Sequence, residues 1–154
     1  MLNSNLRNNG NTLPITKLIE KTGNRDLVTE IITETTAYIN RLVPALKDIS
    51  LDLRNGDITK ATGVFTSAIE GLDWLAQLLA ILKERYGKKF TELSCNNIKV
   101  QALEEDLLNI LTEIIPAQVN KNWGLMADLI EHELVYNLNL WATVLHNVIQ
   151  LEQD

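Results

Sequence analysis

His132 and His146 are the two imidazoles of this chain and Cys95 is its single thiol, so nucleophilic or metal chemistry would have to start from these three residues. The histidines are fourteen residues apart. On one helix that separation is ~21 Å along the axis, too far to share a metal ion. Di-iron bundles use Glu-x-x-His on two helices. Here Leu129 stands three residues before His132, and Thr143 three before His146. A lone cysteine forms neither an intramolecular disulfide nor a thiolate metal site, and it fits a reducing, cytoplasmic setting. These residues predict no metal and no cofactor.

The carboxylates beside His132 offer more. Asp128 lies four residues before it, on the same helical face, where it can orient the imidazole for acid-base work. On an exposed helix such a pair is only a weak local stabiliser. Glu133 is surrounded on a helical net by Leu129, Ile130, Tyr136 and Leu140, which sets a carboxylate against an apolar stripe. A buried carboxylate needs a partner or a proton. Glu133 is therefore expected either as a polar pin between helices, bonded to Tyr38, Tyr86 or one of Thr33, Thr35 and Thr36, or as the floor of a pocket.

Residues 132–138 read His-Glu-Leu-Val-Tyr-Asn-Leu. Through His132, Glu133, Leu134 and Leu138 the string resembles the phospho-acceptor box of sensor histidine kinases, His-Glu-Leu-x-x-Pro-Leu. The resemblance implies a phosphotransfer protein with His132 as acceptor. Val135, Tyr136 and Asn137 depart from the box, and no Gly-rich phosphate loop accompanies it.

The elements that must position these groups are helices. Ile58, Ala61, Phe65, Ala68, Leu72, Leu75, Leu79, Leu82 and Tyr86 step by three and four, which predicts one long helix. Val64, Leu78 and Ile81 flank that seam and widen it enough to touch two neighbours. An earlier helix runs from an Asn24 cap to about Arg54 through Leu27, Ile31, Tyr38, Leu42, Ala45 and Ile49, bent at Pro44. Asn55-Gly56-Asp57 reads as the turn between the two, with Asp57 capping the second, and Gly87 ends it. Lys88–Asn97 reads as a loop. A third helix then follows Val100, Leu103, Leu107, Ile110, Ile114 and Ala117, with Leu108, Leu111 and Ile115 beside them and Pro116 kinking or ending it. Asn122 caps a fourth, through Ala127, Ile130, Leu134, Leu138, Trp141, Leu145 and Val148 to about Leu151.

Residues 1–12 form an Asn-rich tail expected to be disordered, and Pro14, Ile15, Leu18 and Ile19 suggest a short helix that could lie as a lid over a groove. The predicted fold is all-α: an antiparallel four-helix bundle of two hairpins preceded by a short helix, one domain over residues 13–154.

Charge is distributed unevenly. Residues 1–97 carry 12 Lys/Arg against 11 Asp/Glu, and residues 98–154 carry 2 against 9, which together make the net charge of −6. An acidic second half repels nucleic-acid phosphates and anionic membranes, so neither partner is expected. It attracts a basic protein segment. No continuous apolar run reaches the ~20 residues of a membrane span.

Glu70-Gly71-Leu72-Asp73-Trp74-Leu75, and Ala127-Asp128-Leu129-Ile130-Glu131 continuing through Glu133-Leu134 to Trp141, resemble small acidic helical-bundle proteins of Gram-positive bacteria with a flagellar-export-chaperone-like look. That resemblance implies a four-helix bundle that holds a partner helix. Trp74, Gly71, Asp73, Asp128, Glu131 and Glu133 are the candidate partner-binding residues. The expected function is a non-enzymatic adaptor or chaperone-like bundle holding a basic amphipathic segment. The alternatives are phosphotransfer through His132 and a structural homodimer.

Overall fold

The long apolar ladder becomes one rod. In a computed structural model of the chain, residues 25–153 are described; the tail, the short helix and the Asn24 cap expected before Arg25 lie outside them. Helix α1 spans Arg25–Asn55 and passes through the exposed Pro44 without ending. Gly56 closes it at φ +89°, a conformation glycine adopts without a Cβ penalty. Helix α2 spans Ile58–Tyr86. Asp57 starts it through its backbone carbonyl, which accepts from Ala61 N–H at 3.0 Å, and not through the expected side-chain cap. Gly87, at φ +56°, returns its N–H to the Lys83 carbonyl and ends α2 as expected.

The segment expected as a plain loop is ordered. One helical turn, α3 (Lys88–Thr91), buries Phe90. A short antiparallel ladder follows, β1 (Ser94–Cys95) against β2 (Ile98–Lys99). Its two-residue turn, Asn96-Asn97, has positive φ at both positions, which asparagine tolerates better than most residues. The hairpin delays the next helix by three residues. Helix α4 spans Val100–Val119, continuing past Pro116, and buries the six seam residues expected of it.

The last apolar segment departs from expectation. Helix α5 (Trp123–Asp128) starts at Asn122, whose side chain accepts from Leu125 N–H. A π-helical stretch, Leu129–Leu134, follows, and α6 (Val135–Gln153) completes the rod. The consequence shows at Glu133: a uniform α-helix would set it among buried Leu129, Ile130 and Leu140, and the wider π turn leaves it exposed.

Among the described residues the fold is all-α apart from the short ladder. Helix α1 packs along α2 on one side and along α5 and α6 on the other, while α4 packs on α5, the π stretch and α6. The core is aliphatic, with Trp141 and Phe90 as its largest fully buried side chains. Of the row expected to flank the α2 seam, Leu78 and Ile81 are buried, but Val64 is exposed at the rim of a shallow depression shared with Arg41 and Ser67. By length and composition α2 would also pass as a membrane span, although ten of its residues are buried against the protein.

Neighbouring residues on α4 test this packing. Leu107 is 6% exposed and Leu108 66%. Leu107→Ala should cost about 2–5 kcal/mol in urea unfolding, and Leu108→Ala at most about 0.5 kcal/mol. Equal costs would mean that α4 is rolled about its axis relative to this structure.

Candidate functional site

The residues singled out from the sequence fall in three separate places. The first is a clamp between the end of α1 and the start of the last rod. Buried Ser50 donates its hydroxyl to the Ala127 carbonyl at 2.9 Å. Arg54, one turn on, donates to the Ser50 oxygen, reaches Asp128 at 2.6 Å through Nη2 and meets Glu131 at 2.8 Å through Nη1. The hydrogen bond to Asp128 is the main reason the Arg54 guanidinium is held above its ordinary pKa; Glu131 adds to this and desolvation opposes it. Asp128 is thus engaged by Arg54 rather than paired with His132 as its spacing suggested. His132 instead has its Nε2 3.6 Å from a Glu131 carboxylate oxygen. Where i→i+4 bonding gives way to i→i+5, one carbonyl loses its helical donor. The Ser50 hydroxyl serves a carbonyl beside that junction.

The second place is the contact of α2 with α1. Trp74 is half-buried and donates Nε1–H to Thr35 Oγ1 at 3.2 Å, which makes it an edge-of-core residue. Gly71 is buried because the ring and hydroxyl of Tyr38 occupy the space a Cβ would fill. Asp73 is exposed and accepts from Gln77 Nε2. Thr35 and Ser50 are fifteen residues apart on α1, or about 22 Å. The Trp74 group and the Asp128–Glu131 group are therefore not one site.

Helix α4 forms the third place, and its two flanks differ in chemistry. On the α2 side lies an open cleft of about 340 Å³ walled by Leu72, Ala76, Leu79, Leu107, Leu108 and Leu111. Glu104 and Glu105 stand at its end, and Lys83 of α2 bridges to Glu104 at 2.8 Å. The apolar surface continues along α4 through exposed Ile115 and Val119. On the other flank a pocket of about 270 Å³ opens between α4 and the last rod. Asp106 and Glu113 line it from α4, His132 and Glu133 from the π stretch, and Tyr136 and Asn137 from α6.

Glu133 is exposed on this pocket and is not the buried pin that a uniform helical net suggests. The π turn invalidates that net, and the buried polar residue is Asn137, 2% exposed. Its Nδ2 donates to the Leu103 carbonyl at 3.1 Å, and its Oδ1 has no partner. Trp141 Nε1, one turn on, is likewise buried and unpartnered. Ser50, Arg54 and Asn137 were not foreseen as functional or structural polar residues. The signal for Asn137 is its place between Leu134 and Trp141 at steps of three and four. Among the described residues no group of three His, Cys, Asp or Glu side chains is placed to hold a metal ion.

Ser50→Ala should destabilise the protein by about 1–3 kcal/mol, since it removes a buried hydrogen bond between α1 and the last rod and leaves Arg54 without its Ser50 acceptor. Chemical denaturation measures this directly, and an unchanged midpoint with an unchanged slope would show that the hydroxyl contributes nothing to the clamp.

No characterised protein and no solved structure matches the chain. Residues 30–144 match the model of the family described as a domain of unknown function, DUF8042, and because that match spans well over half its length, the chain belongs to this family.

Proposed function

We propose that the protein is a non-enzymatic binding module, an adaptor or chaperone-like holder, which accepts an amphipathic helix of a protein partner along α4. The observation that carries this reading is the apolar row of exposed Leu108, Ile115 and Val119 with half-buried Leu111 between them, continuous with the α2–α4 cleft. Leu108, Ile115 and Val119 are each more than 60% exposed. Spacing of three, four and four residues is the pattern that a docked helix reads as a groove with anchors at i, i+3 or i+4 and i+7. Exposed apolar residues scattered singly need no explanation, but a contiguous row does.

Charge selects the partner. From Val100 to Asn120 the helix carries Glu104, Glu105, Asp106 and Glu113 and no Lys or Arg. A basic amphipathic segment complements that distribution, and the framework that presents it reads as an antiparallel four-helix bundle in a cytoplasmic protein. The Trp74, Gly71 and Asp73 group supports the frame of this site from the α1 side; it is not the docking surface of this reading.

Phosphotransfer through His132 has one observation in its favour: the side chain is 69% exposed on a helical rod. Glu131, Glu133, Asp106 and Glu113 around it oppose the approach of an anionic phosphoryl donor.

A synthetic Leu/Lys amphipathic helix, titrated by fluorescence anisotropy, should bind the wild type. Leu108→Glu with Ile115→Glu should abolish binding while leaving the circular dichroism spectrum unchanged. Light scattering at high concentration separates the homodimer: a dimer that dissociates on the same double substitution would assign this row to self-association and sink the partner reading.

A further inference from the structure

We infer that the pocket on the opposite flank of α4 is a second recognition site, independent of the apolar row, which receives the cationic head of an organic ligand, an alkylammonium or guanidinium group, with the aliphatic stem against its apolar wall.

Three observations converge on that chemistry. Asp106, Glu113 and Glu133 contribute carboxylates from two elements, and no Lys or Arg lines the pocket. None of the three makes an ion pair with another described residue, so their negative potential is not neutralised locally. The inner wall holds Asn137, whose Oδ1 is buried and accepts no hydrogen bond although its Nδ2 is committed to the Leu103 carbonyl. An unpaired buried acceptor is costly to leave unmade. A ligand N–H that reaches Asn137 would satisfy it; an anion or a hydrocarbon would not.

The remaining wall limits the ligand further. Leu103, Ile110 and Leu140 are buried side chains that present carbon to the cavity, which suits a methylene stem and not a hydrated ion. A bare divalent cation would need several oxygens converging on one point. The carboxylates here do not form such a group. At about 270 Å³ the space lies below the roughly 300–1,000 Å³ of drug-sized sites, so it fits a small amine or one basic side chain. The shared chemistry has two sources, a free polyamine or a Lys or Arg side chain of a protein partner.

The test is an NMR titration of the wild-type chain that follows the Asn137 side-chain amide. The probes are n-butylammonium, spermidine, a capped Ala-Ala-Arg-Ala-Ala peptide and uncharged n-butanol. Saturable binding of butylammonium that shifts the Asn137 amide, with none for n-butanol, is expected. Asp106→Asn with Glu113→Gln, two exposed positions that leave the core intact, should weaken it by about tenfold or more. Tighter binding of spermidine than of the peptide assigns the site to free polyamines, and the reverse order assigns it to a basic side chain. Non-saturable shifts spread over the acidic surface, equal binding of n-butanol, or unchanged affinity in the double variant would overturn the inference. The Leu108→Glu and Ile115→Glu substitutions lie on the other flank and should leave this titration unchanged, so failure here and failure of the docking row are distinguishable.

Discussion

The structure depends on keeping the last apolar rod in contact with α1 and α4 through a stretch that also carries charge. Ala127, Ile130, Leu134, Leu138 and Trp141 are all buried. Glu133 lies in the same stretch, and a uniform α-helix would set it among buried Leu129, Ile130 and Leu140. The π stretch over Leu129–Leu134 turns it outward. The end of α1 packs against the same region, where Ser50 and Arg54 bond Ala127, Asp128 and Glu131. Such π turns occur often at functional sites because they reorient side chains without breaking a helix. Here the reorientation delivers His132 and Glu133 to the rim of a pocket and Asn137 to its wall.

Helix α4 divides two environments. Its buried face, Leu103, Leu107, Ile110 and Ile114, anchors it on the last rod. Because these anchors recur every three or four residues, the positions on either side are sorted as well. Leu108 and Leu111 fall toward α2, and Asp106, Asn109 and Glu113 fall toward the π stretch. One short helix thus separates an apolar surface from an acidic one. The separation follows from residue spacing alone.

Much of this architecture is legible in the chain. The α2 and α4 seams follow from apolar periodicity, since burial of a stripe is the main stabilising term for a helix of this composition. Gly56 and Gly87 mark helix ends because both take positive φ. Periodicity separates the Leu107 seam from the Leu108 row beside it, but it does not reveal whether a neighbour covers that second row; Leu107 is 6% exposed and Leu108 66%. The hairpin at Ser94–Lys99 has a sequence signal, adjacent asparagines able to take left-handed conformations, but its strands are too short to show alternation. Glu133 was misplaced because the net drawn around it assumed an α-helix where the chain forms π turns. The pairing of Asp128 with Arg54 spans 74 residues, and no local spacing encodes it.

The charge distribution bears on whether the apolar row of α4 is made for a second copy or for a different chain. In an antiparallel pair of α4 helices centred on the row, Glu104 and Glu105 of each copy would lie near Val119 and Lys121 of the other. In a parallel pair the same carboxylates would face each other. Either way acidic groups outnumber basic ones across the interface, and each chain brings a net charge of −6. Like charges do not forbid a dimer, but they weaken encounter and favour any competitor that supplies cations. The proposed basic helix would gain from both halves of the surface: its apolar edge would cover Leu108 to Val119, and its lysines would approach carboxylates that α4 leaves on either side. Such an arrangement would discriminate by the sign of the partner's charge as well as by shape, a form of selectivity that an apolar groove alone does not provide.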